Sequence, residues 1–340
     1  MSGNAVAILP KGRMAIRGMI CRYLGAVDEE TAMSICEARW GTHNFHTIAK
    51  AAVGALGLSN IDPNAVQFFD AVRERSLLGR LLGLRNVPYR VRLLAMAGGT
   101  RGHWVGEHKQ IPMSKPTLTG SSLSPLKVAA IVAATAESLK NPSAEGLLHR
   151  DLEKALADAL DSAFIDAGNA GVSGERPASI TNGATTIASV GDPVQDLKAM
   201  IEAFEGDLSE AHFVTDPDTA AGLALERDTG GTFLFPDIGP RGGTLLGIPT
   251  LTSRGSPTDT SGGQITLLDP TGIAVGFGSG ELAANNSGGI FMSDDPETDG
   301  VGTMVSLFQT ETVAIKSVQE ANWEQQRDDG VVVLTGASYG

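Results

Sequence analysis

The stretch from Arg101 to Pro125 constrains this chain more than any other. It is rich in Gly, Pro, Ser and Lys and carries only scattered apolar anchors, at Trp104, Val105, Ile111, Met113 and Leu118. So little apolar surface cannot offset the entropy of ordering the segment as a core of its own. It is nevertheless too aromatic and too patterned to serve as a plain flexible linker. Both facts predict a long two-stranded arm supported by a neighbouring molecule. The flanks agree. After Pro88, Val91, Leu93 and Ala95 alternate with Arg90, Arg92 and Leu94, and Gly98-Gly99 makes a turn. Lys127 to Thr135 reads as another strand.

The chain as a whole, 340 residues, 42% hydrophobic and 19% charged, is long enough for one large or two medium domains. Its longest weakly charged apolar run, Val128 to Ala136, falls short of the roughly 18 to 20 residues that cross a bilayer. Arg17 and Arg22 interrupt the apolar start, which argues against a signal peptide and for a protein that begins in the cytoplasm. Cys21 and Cys36 form no CxxC pair and read as reduced thiols. The net charge of −13 is uneven. Through Leu118 there are 15 Lys and Arg against 8 Asp and Glu, a net of +7; from Thr119 the counts are 11 and 31, a net of −20. The acidic part discourages polyanion binding, and the basic part suits either a polyanion or acidic surfaces of neighbouring subunits.

Helices are expected around Glu29–Glu37, over Thr47–Leu56, and from Asp62-Pro63 toward Leu77 and Leu78, with Val66, Phe69, Val72 and Arg73 setting the period. The strongest runs from about Ser143 to Asp166. Leu148, Leu152, Leu156, Leu160 and Phe164 recur every four residues, Ala155, Ala159 and Ala163 extend the stripe, and Glu153, Lys154, Asp158, Asp161 and Asp166 supply polar surface. At about 1.5 Å per residue this rod is roughly 33 to 36 Å long. Asp192-Pro193-Val194-Gln195 predicts a capping box in which Gln195 reaches back, and Asp216-Pro217-Asp218 starts a helix through Leu225. Strands are expected at Ala211–Thr215, Thr244–Ile248, Gln264–Leu268, Ile273–Phe277, Val301–Val318 and Gly330–Thr335. The closing part is expected to return to the long helix, leaving about Gly191 to Asp295 as an inserted lobe.

No catalytic pattern stands out. Gly230-Gly231 and Gly242-Gly243 lack dinucleotide-loop spacing, Gly120-Ser121-Ser122 has no phosphate-loop lysine, and there is no nucleophile elbow. Ser121, His149 and Asp151 fail as a triad because His149 and Asp151 point about 200 degrees apart on one helix. His43, His46, His103, His108, His149 and His212 read as solvent-facing or hydrogen-bonded. Asp295-Pro296-Glu297-Thr298-Asp299-Gly300 resembles a calcium loop but has Ser306 where the bidentate Glu belongs. No cofactor, metal or catalytic residue is therefore assigned. Trp104 beside Arg101, His103 and Lys109 offers one stacking aromatic, interrupted by Glu107, and fits an inter-subunit anchor better than a nucleobase platform.

In its motifs the chain resembles the tailed-phage major capsid proteins with the Hong Kong 97 fold, over roughly Ala65 to Tyr339. His103-Trp104-Val105-Gly106-Glu107 with Ile111-Pro112-Met113-Ser114 is similar to that family's extended loop, and Leu123 to Val132 to its return strand. Gly247-Ile248-Pro249-Thr250 resembles an axial-domain strand, and Phe308 to Lys316 with Trp323 the closing peripheral segment. The resemblance implies an α+β capsid fold with an axial domain, a peripheral domain, a long spine helix and an extended β-arm. On this reading 1–64 is an amino-terminal arm or scaffold-like segment, 65–87 begins the peripheral region and 88–135 is the extended loop. Residues 136–190 carry the peripheral domain with the spine helix, 191–300 the axial domain and 301–340 the return. The implied function is a non-enzymatic shell of pentamers and hexamers around double-stranded DNA. Partners would be a portal and scaffold or cement proteins, with no membrane. The location would be the virion capsid, reached from the host cytoplasm. Inter-subunit contacts are expected at Trp104, Glu107, Lys109, Ile111, Met113, Lys115 and Leu118, and genome-facing charges at Arg13, Arg17 and Arg22. Lys109 or Lys115 with Asn322 is no clear match to the reactive set by which some relatives crosslink, so a noncovalent shell is expected. An encapsulin-like compartment and a hydrolase are the alternatives.

Overall fold

The computed structural model describes residues 16–17, 20, 63–97, 104–108, 110, 117–141, 143–259, 262–292, 303–327 and 330–339. The helices expected before Asp62, the Gly98-Gly99 turn and the Asp295–Gly300 loop lie outside them. The chain divides into two compact units. One comprises Met1–Arg75, Val128–Ala157 and Ser279–Gln319; the other comprises Ser76–Lys127, Asp158–Gly278 and Glu320–Gly340.

The first unit begins with α1 (Pro63–Arg75), whose Phe68, Phe69 and Val72 are buried while Val66 stays exposed. The short α2 (Leu77–Arg80), β1 (Arg85–Asn86), β2 (Arg92–Ala97) and β3 (Thr117–Ser122) follow in the second unit. Then come β4 (Lys127–Thr135), α3 (Ala136–Leu139) and the long α4 (Ala144–Ile165), close to its predicted bounds. In the first unit His149 of α4 is buried, its ring edge-on to Phe68 at 5.5 Å and its Nδ1 3.5 Å from Glu153, while Asp151 is exposed.

The buried stripe of α4 differs from the expected one. Leu152, Leu156, Leu160 and Phe164 are buried, but the stripe widens through Ala157, Asp161 and Ile165, and Ala155 and Ala159 face solvent. Positions one beyond each leucine lie only about 100 degrees around the helix, so a packed stripe takes them in when the partner surface lies on that side. Asp161, expected on the polar surface, is 3% exposed. Its Oδ1 accepts the Leu77 N–H at 2.7 Å, closing the start of α2, where Ser76 makes no side-chain cap. Its Oδ2 accepts the Ser253 hydroxyl at 2.5 Å. Close approach is possible because Gly255 lies there: a Cβ would stand 2.6 Å from the Ser162 nitrogen and 2.7 Å from the Asp161 Cβ.

The second unit is built on a mixed sheet. Its strands are β5 (Thr185–Ala188), β6 (His212–Thr215), β7 (Ile238–Gly239), β8 (Gly242–Leu245), β9 (Ile248–Thr252), β10 (Thr258–Asp259), β11 (Gly262–Leu268) and β16 (Val331–Ala337). The order is β5-β16-β11-β6-β9-β8-β7, with β10 paired to β11. Two helices, α5 (Pro193–Ala203) and α6 (Pro217–Leu225), lay Leu197, Met200, Ala220 and Leu223 against Phe213, Ile265, Leu267, Val332 and Leu334. Both have aspartate caps. Asp192 accepts from Val194 and Gln195, and Asp216 from Asp218 and Thr219, an arrangement worth about 1 kcal/mol each. The box at Asp192 is not fully reciprocal: the Gln195 side chain donates to the Asp192 carboxylate at 2.9 Å.

Two further expectations change. The strand predicted over Thr244–Ile248 is a hairpin, because Leu246 (φ 56) and Gly247 (φ 84) both take left-handed backbone and form the two-residue turn between β8 and β9. The last strand, expected to close the first domain, lies inside the second unit's sheet, antiparallel to β11 and parallel to β5. The VVVL run of β16 is buried on both faces, which only an interior strand position satisfies.

The remaining strands are β12 (Ile273–Asn285), β13 (Gly289–Met292), β14 (Thr303–Ser306) and β15 (Thr312–Gln325). A four-stranded sheet runs β1-β12-β15-β4, and the pairs β2-β3 and β13-β14 each stand as separate two-stranded ribbons.

Burial pushes the Asp161 carboxyl up to about 6, against the hydrogen bonds from Ser253 and Leu77 and the charge of Arg80. The folded chain therefore holds this proton more tightly than the unfolded chain. The associated stability is fully present only below the unfolded value of 3.8 and is lost as pH rises from there through about 6. Asp161→Asn is expected to remove on the order of 2 to 3 kcal/mol of that pH dependence, gaining relative to wild type between pH 4.5 and pH 7 in urea unfolding curves. Asp161→Ala, which leaves two buried donors without an acceptor, is expected to destabilise at both values.

Candidate assembly surface

The candidate surface begins at the base of the β2-β3 ribbon. In the second unit the C-terminal carbonyls of α4 all find donors. Ala163 O accepts from the Asn169 amide, Phe164 O from Ser179 Oγ, and Ile165 O from Thr181 Oγ1 and Gln264 Nε2. The loop that supplies most of these donors also receives Trp323, whose Nε1 donates to Ala178 O at 2.8 Å and whose ring meets Phe164 edge-on at 5.4 Å. Beside it Asn322 donates to Ser124 O at 2.7 Å, and Ala321 N bonds to Leu126 O. These residues hold the segment 123–126, which follows β3, and Asn322 and Trp323 line a polar groove with Arg176, Asn182 and Glu324.

From this root β2 and β3 pair antiparallel, from Arg92↔Ser122 to Ala97↔Thr117, and join no other described strand. Of the predicted contact residues, Trp104 is fully exposed and Glu107 is exposed. Leu118 sits on β3 opposite Met96. Lys109, Ile111, Met113 and Lys115 lie outside the described residues, as do Arg13 and Arg22. Arg17 is 7% exposed, and Ile16 and Ile20 near it are also buried. Asn322 is 8% exposed and its amide is engaged at both ends, by Ser124 O and by the Trp323 N–H.

Other exposed apolar groups escaped the sequence reading. Ile131 stands outward on β4 at 59% exposure. Phe291 and Met304 face each other across the β13-β14 ribbon, and both are exposed, as is Phe308 just beyond it. Leu246 is exposed at the β8-β9 turn. The uniformly apolar run from Val128 to Ala134 does not mark which side of the strand Ile131 takes, and the leucine turn gave no signal, because its left-handed backbone is normally taken by Asn, Asp or Gly. Among the described residues no group of three or more His, Cys, Asp or Glu could hold a metal ion. No described helix is long and apolar enough to cross a membrane.

A profile of the Phage capsid family matches residues 64–335. The capsid polyprotein of Pseudomonas phage PAJU2 is 31% identical over 365 residues, covering 98% of this chain and 55% of that protein, so the chain spans about half the length of this curated relative. Solved chains of similar fold come from Gordonia phage Cozz (22% identity, TM-score 0.51, 74% of this chain and 84% of that one) and Mycobacterium phage Ogopogo (20%, 0.54, 76% and 91%). A third is the capsid of a native GTA particle (16%, 0.52, 78% and 89%). At these identities they establish the fold.

Because Trp104 is open to solvent, Trp104→Ala is expected to shift the melting temperature of the free chain by no more than about 2 °C. Buried as an anchor between chains, the same side chain would contribute roughly 2 kcal/mol or more per contact. Self-association of the variant, followed by sedimentation velocity, is then expected to weaken by at least about tenfold.

Proposed function

The chain belongs to the phage capsid family, and on that premise we propose that it is a major capsid subunit that self-assembles into a closed shell enclosing double-stranded DNA. The reading is non-enzymatic. The observation that carries it is the β2-β3 ribbon, which pairs only with itself among the described strands, together with the fully exposed Trp104 in the segment between its two strands. An isolated two-stranded ribbon is marginal in water and gains stability when a further surface covers it.

In this reading β2-β3 with the intervening residues is the extended arm, laid on a neighbouring subunit, and α4 is the spine. The mixed sheet with α5 and α6 serves as the axial domain around pentamer and hexamer centres, and the sheet containing β4, β12 and β15 as the peripheral domain. Closed rings repeat one interface many times, so each subunit is held by several individually modest contacts. Enclosed DNA is held without sequence preference. The amino-terminal basic segment, including Arg13 and Arg22, faces inward; a portal and scaffold or cement proteins complete the particle, which forms in the host cytoplasm. The shell is noncovalent, a reading supported by the engaged amide of Asn322.

Electron microscopy of the purified chain, with nuclease-protected DNA assayed in particles recovered from infected or induced cells, tests the assignment. Closed shells holding protected double-stranded DNA, and a single monomer band on denaturing electrophoresis, are expected. Shells filled with a protein cargo and free of nucleic acid would instead make it an encapsulin-like compartment, and absence of any closed particle would reject the shell reading. Limited trypsin treatment of intact particles is expected to spare Arg13 and Arg22; ready cutting there, with the acidic lobe untouched, would reverse the inward placement.

A further inference from the structure

Three asparagines gather around the shelf that carries Trp323. Asn169 is buried; its amide donates to Ala163 O and Pro177 O, and its Oδ1 accepts from Gly171 N. Asn322 is buried too, with both ends of its amide engaged. Asn182 differs in each respect. It is exposed, its Nδ2 donates to Ala167 O at 2.9 Å, and its Oδ1 accepts no hydrogen bond among the described residues. Of all the asparagines in the chain it alone precedes a glycine. Gly183 is exposed, with φ 78, and a Cβ built on it would meet nothing within 4 Å. Its N–H takes part in no hydrogen bond among the described residues, although the flanking N–H groups of Asn182 and Ala184 bond to Ser179 O and Thr181 O.

From this arrangement we infer that Asn182-Gly183 is a site of spontaneous deamidation, a slow covalent change that loosens the shelf beneath Trp323. The Gly183 nitrogen, deprotonated by solvent base, attacks Asn182 Cγ. A C–N bond forms, the Cγ–Nδ2 bond breaks, and Nδ2 leaves as ammonia after taking a proton from solvent. Water then opens the five-membered imide at either carbonyl, leaving aspartate or isoaspartate; nothing is oxidised or reduced. Glycine favours the first step, because it has no side chain to crowd the attacking nitrogen and the widest backbone freedom to bring it round. The product cannot hold the turn as asparagine does. Its carboxylate has no hydrogen to give Ala167 O and sets negative charge against that carbonyl, one residue from Asp166. The isoaspartyl form also lengthens the backbone by one carbon within the turn that Ser179 O and Thr181 O close. Ser179 and Thr181 cap the α4 carbonyls, and Ala178 O receives the Trp323 indole, so a disturbance in this turn reaches all of them.

Peptide mapping by mass spectrometry of the folded full-length chain, held in mildly alkaline buffer at physiological temperature, tests the inference. The peptide bearing Asn182 is expected to gain about 1 Da, in part as isoaspartate, at least about tenfold faster than any other asparagine-containing peptide. No gain there, or a gain only after the chain is unfolded in urea, would show that the turn protects Asn182 and would overturn the site. Asn182→Gln keeps an amide but needs a larger ring, and it is expected to abolish the gain; a gain persisting at the wild-type rate would place the reaction elsewhere and reject the assignment. Asn182→Asp supplies the carboxylate at once and tests the consequence. It is expected to lower the melting temperature of the free chain by about 2 to 4 °C, and an unchanged melting temperature would overturn the coupling to the shelf.

Discussion

A helix end leaves four carbonyls without intrahelical partners, and a buried end must find donors for them. At the end of α4 that requirement organises the second unit. Asn169, Ser179, Thr181 and Gln264 are drawn to Ala163, Phe164 and Ile165, and the loop bearing three of them becomes the shelf on which Trp323 rests. One turn earlier Asp161 serves as a tertiary cap for α2 and a tether for Ser253. Polar satisfaction, more than apolar burial alone, thus decides where the end of α4 lies against this unit.

The same network positions the β2-β3 ribbon. Asn322 and Ala321 hold Ser124 and Leu126, and Arg90 N bonds to Leu123 O, so both strands of the ribbon leave from a fixed base. Fixing the base of an otherwise sparsely packed ribbon lowers the entropy that any surface binding it would have to overcome. A ribbon free at its base would forfeit that advantage.

Much of the local structure was legible. The four-residue recurrence of leucines marks α4 almost to its ends, and Asp-Pro at 192–193 and 216–217 marks two helix starts, because capping chemistry is local. The strand over Lys127–Thr135 was legible to the residue. What failed did so for identifiable reasons. Asp161 read as surface because charge predicts exposure unless donors from distant segments arrive, and those donors are 84 and 92 residues away. The β8-β9 turn was invisible because Leu246 adopts a backbone that its side chain disfavours.

By itself, then, the sequence determined the elements and one deficit. Periodicity, caps and turn residues are short-range physics, and the shortage of apolar surface between Arg101 and Pro125 is a property of composition that no fold can repair. Tertiary structure alone decided which side of α4 is buried, that β16 joins the second unit's sheet, and that β4 keeps one edge unpaired among the described strands. Each of those depends on hydrogen-bond partners far apart along the chain, and a strand's partner is chosen by the register and geometry of the whole sheet, which the strand's own residues do not specify.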